Sequence, residues 1–181
     1  MNQSSARGGP GSGLRRRIAT RPVLLAWALV VIFAGLVLWL GTPNFSSSRS
    51  FIWLANFLRF FDPDIDHQGV LVVHGILRKG MHLVVYGALA LLAFRASFLS
   101  FGNVLLRVAA TAVLIAVGVA MVDEGRQATY SERTGSPVDV LIDGTGAAIA
   151  VGLAALALRR GWLRGLGAHK PDASATDGEA T

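Results

Sequence analysis

The chain of 181 residues contains no cysteine, and charged residues make up only 15% of it. The absence of cysteine excludes a disulfide framework, a thiolate metal site and a cysteine nucleophile. Hydrophobic residues make up 52% of the chain and its mean hydropathy is +0.52, whereas about a quarter of the residues in a typical soluble domain are charged. The composition therefore predicts an integral membrane protein.

Motifs that identify common enzyme classes are also missing. The sequence has no His-Glu-x-x-His pair, no Gly-x-Ser-x-Gly nucleophile motif and no glycine-rich phosphate loop. The formal net charge is +6, but the arginines flank apolar runs instead of forming a basic face, so no nucleic-acid partner is expected. The sequence predicts no cofactor and no bound metal. It names no reaction class, and catalytic residues remain unknown at this stage.

Four apolar runs have the length of membrane helices. The first, 22–40, holds 19 residues without a charge, which at about 1.5 Å per residue spans roughly the 30 Å hydrocarbon core of a bilayer. It is longer than the apolar part of a cleaved signal peptide, so we expect it to stay as a membrane helix. The other predicted helices are about 79–99, 104–122 and 137–158. The fold class predicted is an all-α, polytopic bundle of four transmembrane helices.

Tails of different composition flank these runs. Residues 1–21 are rich in glycine, serine and arginine, a composition that cannot bury enough apolar surface to fold alone. We therefore predict a flexible basic tail over 1–21, a membrane domain over 22–160 and a second flexible tail over 161–181.

The segment between the first two membrane helices, 41–78, is predicted to be an outer loop that contains one short helix. Within Ser50–Phe61, apolar residues recur at spacings of three and four, at Phe51, Leu54, Ala55, Leu58 and Phe61. This pattern predicts an interfacial amphipathic helix, and the stripe packs either on the membrane surface or on the bundle. Asp62 and Pro63 end the helix, and His67 and His74 are expected to be solvated in the acidic loop that follows.

The distribution of Lys and Arg predicts the orientation. With four spans and a cytoplasmic N-terminus, 11 of the 17 basic residues lie inside and six lie outside. The positive-inside rule therefore places both termini in the cytoplasm.

This orientation gathers ionisable residues at the outer ends of the second, third and fourth membrane helices. They are Arg78, Lys79, His82, Tyr86, Asp123, Glu124, Gln127, Asp139 and Asp143. Spacings of three or four place the members from each helix on one face of it. Charges at membrane depth are costly and usually turn inward to pair. Because Asp143 lies about one and a half turns inside its helix, we expect Lys79, His82 or Arg133 to neutralise it.

Two interpretations of these residues remain open. In one, they form a structural network that docks three helices; in the other, they line an outer pocket for a polar or anionic headgroup. His82 with several carboxylates is also chemically sufficient for acid–base catalysis or a hard-metal site. Small residues follow in the fourth helix, including Gly144, Gly146 and Gly152. We expect them to fit the helix into its own bundle, and the oligomeric state is open.

Two segments resemble the VanZ-like family of membrane proteins. Residues 78–86, RKGMHLVVY, resemble its R-K-x-x-H-F-x-E-Y signature. Residues 123–127, DEGRQ, with 133–146, RTGSPVDVLIDGTG, resemble its D-E-x-x-Q and G-R-x-G-x-x-x-D-x-x-x-D-x-x-G patterns. The chain departs from the family at Val85, where many members have glutamate, and at Arg126, where many have histidine. The resemblance therefore does not imply a two-histidine metal site.

The resemblance covers about residues 46–152 and implies a bacterial membrane protein whose polar site faces the cell wall. The family is named for a protein that gives low-level resistance to teicoplanin, a lipoglycopeptide. The expected site comprises Lys79, His82, Tyr86, Asp123, Glu124, Gln127, Arg133, Asp139, Asp143 and Gly146. The expected partners are a membrane lipid, a lipid-linked wall precursor or a lipoglycopeptide. The alternatives are an intramembrane enzyme acting on lipid-linked wall precursors and a purely structural scaffold.

Overall fold

The structure, a computed structural model, describes residues 11–42, 47–102, 104–129 and 135–162. Side chains are described from Thr20 in the first range and from Ser50 in the second. Five helices account for nearly all of these residues: α1 (Gly11–Leu40), α2 (Ser47–Phe61), α3 (His67–Phe101), α4 (Leu105–Gln127) and α5 (Pro137–Arg159). Four of them, all except α2, are long and apolar enough to cross a membrane. The prediction of an all-α protein with four membrane helices is confirmed.

The first helix begins at Gly11, earlier than the predicted start at residue 22. The intervening segment contains leucine, arginine and alanine, which favour helix and extend α1 toward the N-terminus. Pro22 lies within the helix, where it removes one backbone hydrogen bond. The rest of the predicted basic tail, 1–10, and most of the predicted C-terminal tail, 163–181, lie outside the described residues.

The second membrane helix is much longer than the predicted span 79–99, since α3 begins at His67. The Asp66 side chain caps it by accepting a hydrogen bond from the Gly69 amide at 2.7 Å, a common N-cap contact. His67 and His74 are therefore helical, and their predicted placement in a loop is wrong. The 35 residues of α3 extend roughly 52 Å, more than the bilayer core, so one end projects from the membrane or the helix tilts.

Helix α3 is the centre of the bundle, because it packs against all four other helices. The Trp27 indole of α1 donates to Ser100 near the end of α3 at 3.0 Å, and Arg126 of α4 donates to the Leu38 carbonyl near the end of α1 at 3.1 Å. The C-terminal ends of α1 and α4 therefore lie together. Alanines dominate the buried core of the described residues, which lets membrane helices pack closely.

Helices α3 and α5 approach each other closely at Gly146 of α5. A Cβ there would lie 3.0 Å from the Leu83 Cα of α3 and would collide with the Leu83 carbonyl oxygen. Gly87, one turn further along α3, faces the Gly146 carbonyl, which would be 3.3 Å from an added Cβ. These two glycines hold α3 and α5 in backbone contact, and for Gly146 this agrees with the expected role of the small residues of the fourth membrane helix.

The short helix α2 has two apolar faces. Ala55 is buried, and Phe51, Leu54 and Leu58 are partly buried, so most of the predicted stripe packs on the bundle. A second face carries exposed aromatic residues, with Trp53 78% and Phe60 81% exposed. Only the last residue of the predicted apolar stripe does not pack on the bundle, because Phe61 is 69% exposed. The helix therefore uses one face for packing and presents the other outward.

Candidate functional site

Three helices bring polar side chains together near one end of the bundle. Helix α3 supplies Arg78, His82 and Tyr86, α4 supplies Asp123, Glu124 and Gln127, and α5 supplies Asp139 and Asp143. We call these eight residues the polar cluster. Asp123, Glu124, Gln127 and Asp143 are at most 4% exposed. Buried groups of this kind are costly unless they are paired or hydrogen-bonded.

His82 lies at the centre of the polar cluster. Its Nδ1 is 3.2 Å and 3.4 Å from the two carboxylate oxygens of Asp143. It is also 4.0 Å from Oε1 of Glu124. Among the described residues, His82 therefore pairs with Asp143, and it is one of the three partners expected from the sequence. The other Glu124 oxygen, Oε2, accepts a hydrogen bond from the Ser136 amide at 2.9 Å.

A second set of hydrogen bonds converges on Asp123. Its Oδ2 accepts from the Tyr86 hydroxyl at 3.2 Å and from the Gln127 amide nitrogen at 2.9 Å. Its Oδ1 is buried and has no hydrogen-bond partner among the described residues. Oε1 of Glu124 is likewise buried without a hydrogen-bond partner among the described residues. The polar cluster thus contains two buried acceptor oxygens that receive no hydrogen bond from the described residues.

The cation of the polar cluster is Arg78, whereas the expected site residue Lys79 is exposed. The Arg78 guanidinium donates to Oε1 of Gln127 at 3.3 Å and to Oδ2 of Asp139 at 3.5 Å. Arg78, His82 and Tyr86 lie at strict spacings of four, so they share one face of α3. Lys79 is rotated about 100° from that face and does not join it.

Two further expected residues have other positions. Gly146 does not line the polar cluster, but its contact with Leu83 holds Asp143 of α5 beside His82 of α3. Arg133 lies outside the described residues. Ser136, which the sequence did not single out, caps α5 through its hydroxyl, which accepts from the Val138 amide at 3.2 Å. Its own amide binds Glu124, so this cap also ties α5 to α4.

A cavity of about 360 Å³ adjoins the polar cluster, a size within the range of small-molecule sites. Its apolar wall comes from α1, α2 and α3, and includes Val37, Leu54 and Met81. Its polar end includes five members of the polar cluster: Arg78, His82, Tyr86, Asp123 and Gln127. The cavity is therefore amphipathic.

Gly41, at the end of α1, closes one side of this cavity. A Cβ at Gly41 would collide with the Asp123 carboxylate, so the glycine lets that carboxylate lie against the backbone of α1. The sequence contained no signal that pairs Gly41 with Asp123. It did contain one for Arg78, namely the spacing of four that links it to His82 and Tyr86.

The polar cluster has the donors and acceptors for two kinds of chemistry. The polar end of the cavity offers donor groups on Arg78 and an unsatisfied acceptor oxygen on Asp123, which suits a ligand that carries both acceptor groups and hydroxyl or ammonium groups. Independently, the potential ligand atoms of His82, Glu124 and Asp143 all lie within 4.8 Å of one another. Among the described residues, these three side chains form the one group that could hold a metal ion.

Comparison with known proteins gives one result about the family of the chain. The family model described as VanZ/LLP1 matches residues 23–158, which include all eight members of the polar cluster and the four membrane helices from residue 23 onward. No curated protein and no solved structure matches the chain. The match covers about three quarters of the sequence and agrees with the motifs in segments 78–86, 123–127 and 133–146. The chain therefore belongs to the VanZ/LLP1 family.

Proposed function

We propose that this chain is a bacterial plasma-membrane protein that binds an amphiphile in the cavity and thereby lowers susceptibility to teicoplanin-type antibiotics. The ligand has a long hydrocarbon chain and a headgroup rich in hydroxyl or amine groups. A membrane lipid, a lipid-linked wall precursor and a lipoglycopeptide share this chemistry. The observation that carries the proposal is the amphipathic cavity, whose apolar wall suits the hydrocarbon chain and whose polar end suits the headgroup.

Individual residues support distinct roles in binding. Arg78 replaces Lys79 as the anion contact, because its guanidinium lines the cavity and Lys79 is exposed. Asp123 offers an unsatisfied buried oxygen for a ligand hydroxyl or amine. Tyr86 and Gln127 orient that carboxylate by hydrogen bonds. An oxygen already desolvated and held in position gains a hydrogen bond from the ligand without a further ordering cost.

The positive-inside rule supports the placement of the polar cluster at the outer leaflet, with both termini in the cytoplasm. Single-cysteine labelling tests this placement cleanly, because the chain has no cysteine of its own. Thr129 follows α4 beside the polar cluster, and Arg160 follows α5 at the opposite end of the bundle; both are exposed. In intact cells, Thr129→Cys should react with a membrane-impermeant maleimide and Arg160→Cys should react only after lysis. The reverse pattern contradicts an outward-facing site.

The functional test is antibiotic susceptibility in a teicoplanin-sensitive bacterium that expresses the full chain. The intact chain should raise the minimum inhibitory concentration of teicoplanin, and Arg78→Ala should lose this effect at equal membrane abundance. Lys79→Ala is the matched control and should keep it. A glycopeptide without an acyl chain serves as the control drug. An intact chain that leaves teicoplanin susceptibility unchanged refutes the resistance function.

The ligand source is distinguished with purified protein. Saturable binding of labelled teicoplanin identifies the lipoglycopeptide itself, whereas binding of a lipid-linked wall precursor without teicoplanin binding identifies the precursor.

A structural scaffold makes a different prediction, because the polar cluster joins three helices. In that case Arg78→Ala lowers membrane abundance and susceptibility changes only in proportion to it.

A further inference from the structure

The structure assigns a second property to the polar cluster: we propose that His82, Glu124 and Asp143 bind one divalent transition-metal ion. This inference does not depend on antibiotic binding, since its evidence is the geometry, burial and charge of side chains in the polar cluster. It also goes beyond the sequence, which predicted no metal.

The first observation is the geometry of the three side chains. Four-coordinate zinc has bonds of about 2.0 Å to nitrogen and oxygen ligands, which places tetrahedral ligand atoms about 3.3 Å apart. Nδ1 of His82 is 3.2 Å from Oδ1 of Asp143 and 4.0 Å from Oε1 of Glu124. A movement of the Glu124 side chain of roughly 1 Å toward His82 would bring the second separation close to the tetrahedral value, and the potential ligand atoms of all three side chains lie within 4.8 Å of one another.

The second observation is the orphaned oxygen of Glu124. Glu124 is 4% exposed, and its Oε1 is buried without a hydrogen-bond partner among the described residues. Nδ1 of His82 lies 4.0 Å from this oxygen, so the oxygen is aimed into the group. The other oxygen of Glu124 is held by the Ser136 amide at the start of α5. A ligand carboxylate fixed in this way by a second partner is typical of metal sites.

The third observation is the charge balance. Among the described residues the polar cluster contains four carboxylates, on Asp123, Glu124, Asp139 and Asp143. The guanidinium groups near them belong to Arg78 and to Arg126, which lies on the same turn of α4 as Asp123. The four carboxylates thus outnumber the two guanidinium groups, and up to two of them depend on a proton, on His82 or on a bound cation for their neutralisation. A divalent cation would neutralise them, and it would remove the cost of burying unpaired carboxylates.

The donor set favours a metal of the Zn²⁺ or Mn²⁺ type. One imidazole nitrogen and two carboxylate oxygens are common ligands of these ions, whereas Mg²⁺ usually retains several waters and binds through few protein carboxylates. Three protein ligands leave at least one coordination position for a water or a ligand group. Because His82 also lines the cavity, that position would lie at the edge of the polar end.

The test measures metal content and affinity of the full chain, purified in detergent and stripped with a chelator. Apo protein is incubated with Zn²⁺ alone or Mn²⁺ alone, passed over a desalting column and analysed by mass spectrometry of the elements. We expect one ion per chain for one of these metals. Substitution of Co²⁺ should give visible absorption from a site of low symmetry, and a chelator should remove that absorption.

Glu124→Gln and Asp143→Asn keep the side-chain shape and should each weaken the affinity for the ion at least tenfold. Asp139→Asn is the matched control, because it removes a carboxylate of the polar cluster outside the proposed ligand set, and it should keep the ion. Gel filtration and helical circular dichroism check that each variant is folded. A folded intact chain that binds neither metal overturns the proposal, and so does equal binding by the intact chain and both ligand variants. Metal binding with unchanged teicoplanin susceptibility would support this site while refuting the resistance function.

Discussion

The contact between α3 and α5 gives the most quantitative prediction, because a single methyl group tests it. In Gly146→Ala the new Cβ meets the Leu83 backbone and not a flexible side chain, so the two helices must separate. Overpacking of this kind costs typically about 1–3 kcal/mol. Gly152 lies six residues later on the same helix, and apart from the adjoining backbone of α5 no atom of the described residues lies within 4 Å of the position that a Cβ would occupy there. Alanine at that position is neutral or stabilising by up to about 1 kcal/mol, because glycine is a poor helix former.

The assay is thermal unfolding in detergent, followed by the fluorescence of the four tryptophans of the chain. For a chain of this length, 1 kcal/mol shifts the midpoint by about 2–4 °C. Gly146→Ala should therefore unfold at least about 2 °C below the intact chain, and Gly152→Ala at or above it. Because the same contact holds Asp143 beside His82, Gly146→Ala should also weaken metal binding. Equal midpoints for the two variants would refute the close approach of α3 and α5.

Three further predictions concern the polar cluster and α2. His82→Leu should lower stability by about 3–5 kcal/mol because it leaves Asp143 buried without its partner, and the double variant His82→Leu/Asp143→Leu should recover much of that loss in a chemical unfolding assay. Arg78→Ala should lower the unfolding midpoint, whereas Lys79→Ala should change stability by less than about 0.5 kcal/mol, since only Arg78 has partly buried contacts. A variant that keeps Trp53 alone among the tryptophans should be quenched by brominated lipids in vesicles, and the absence of quenching would contradict an outward aromatic face on α2.

The membrane helices were predictable from the sequence because their uncharged runs match the thickness of a bilayer. The start of α3 was not predictable in the same way. Between Asp66 and Arg78 the chain mixes apolar residues with His67 and His74, and its helical state depends on the Asp66 cap and on packing against α2. Ser50 and His74 make one such contact, with 3.0 Å between Oγ and Nε2. Contacts of this type are tertiary, and hydropathy does not report them.

The polar cluster was predicted in its composition but not in its pairing. Spacings of four correctly grouped residues on each helix, whereas the spacing of three between Lys79 and His82 did not place Lys79 in the polar cluster. The cost of burying Asp143 correctly required a partner. The choice between Arg78 and Lys79 depended on the rotation of α3, which is fixed by the contact of Leu83 with Gly146. Gly41 could not be found at all, because its role is to leave room for Asp123 across a tertiary interface.

The most direct test of an amphiphile-binding cavity is native mass spectrometry of the full chain, extracted in mild detergent from bacterial membranes. Leu54 lines the cavity, and Leu54→Trp should fill part of it. Leu141 is 70% exposed, so Leu141→Trp is the matched control with the same substitution. We predict that the intact chain and Leu141→Trp carry a bound lipid or lipid-linked molecule and that Leu54→Trp does not. Equal occupancy in all three proteins, or none in the intact chain, would contradict binding in this cavity.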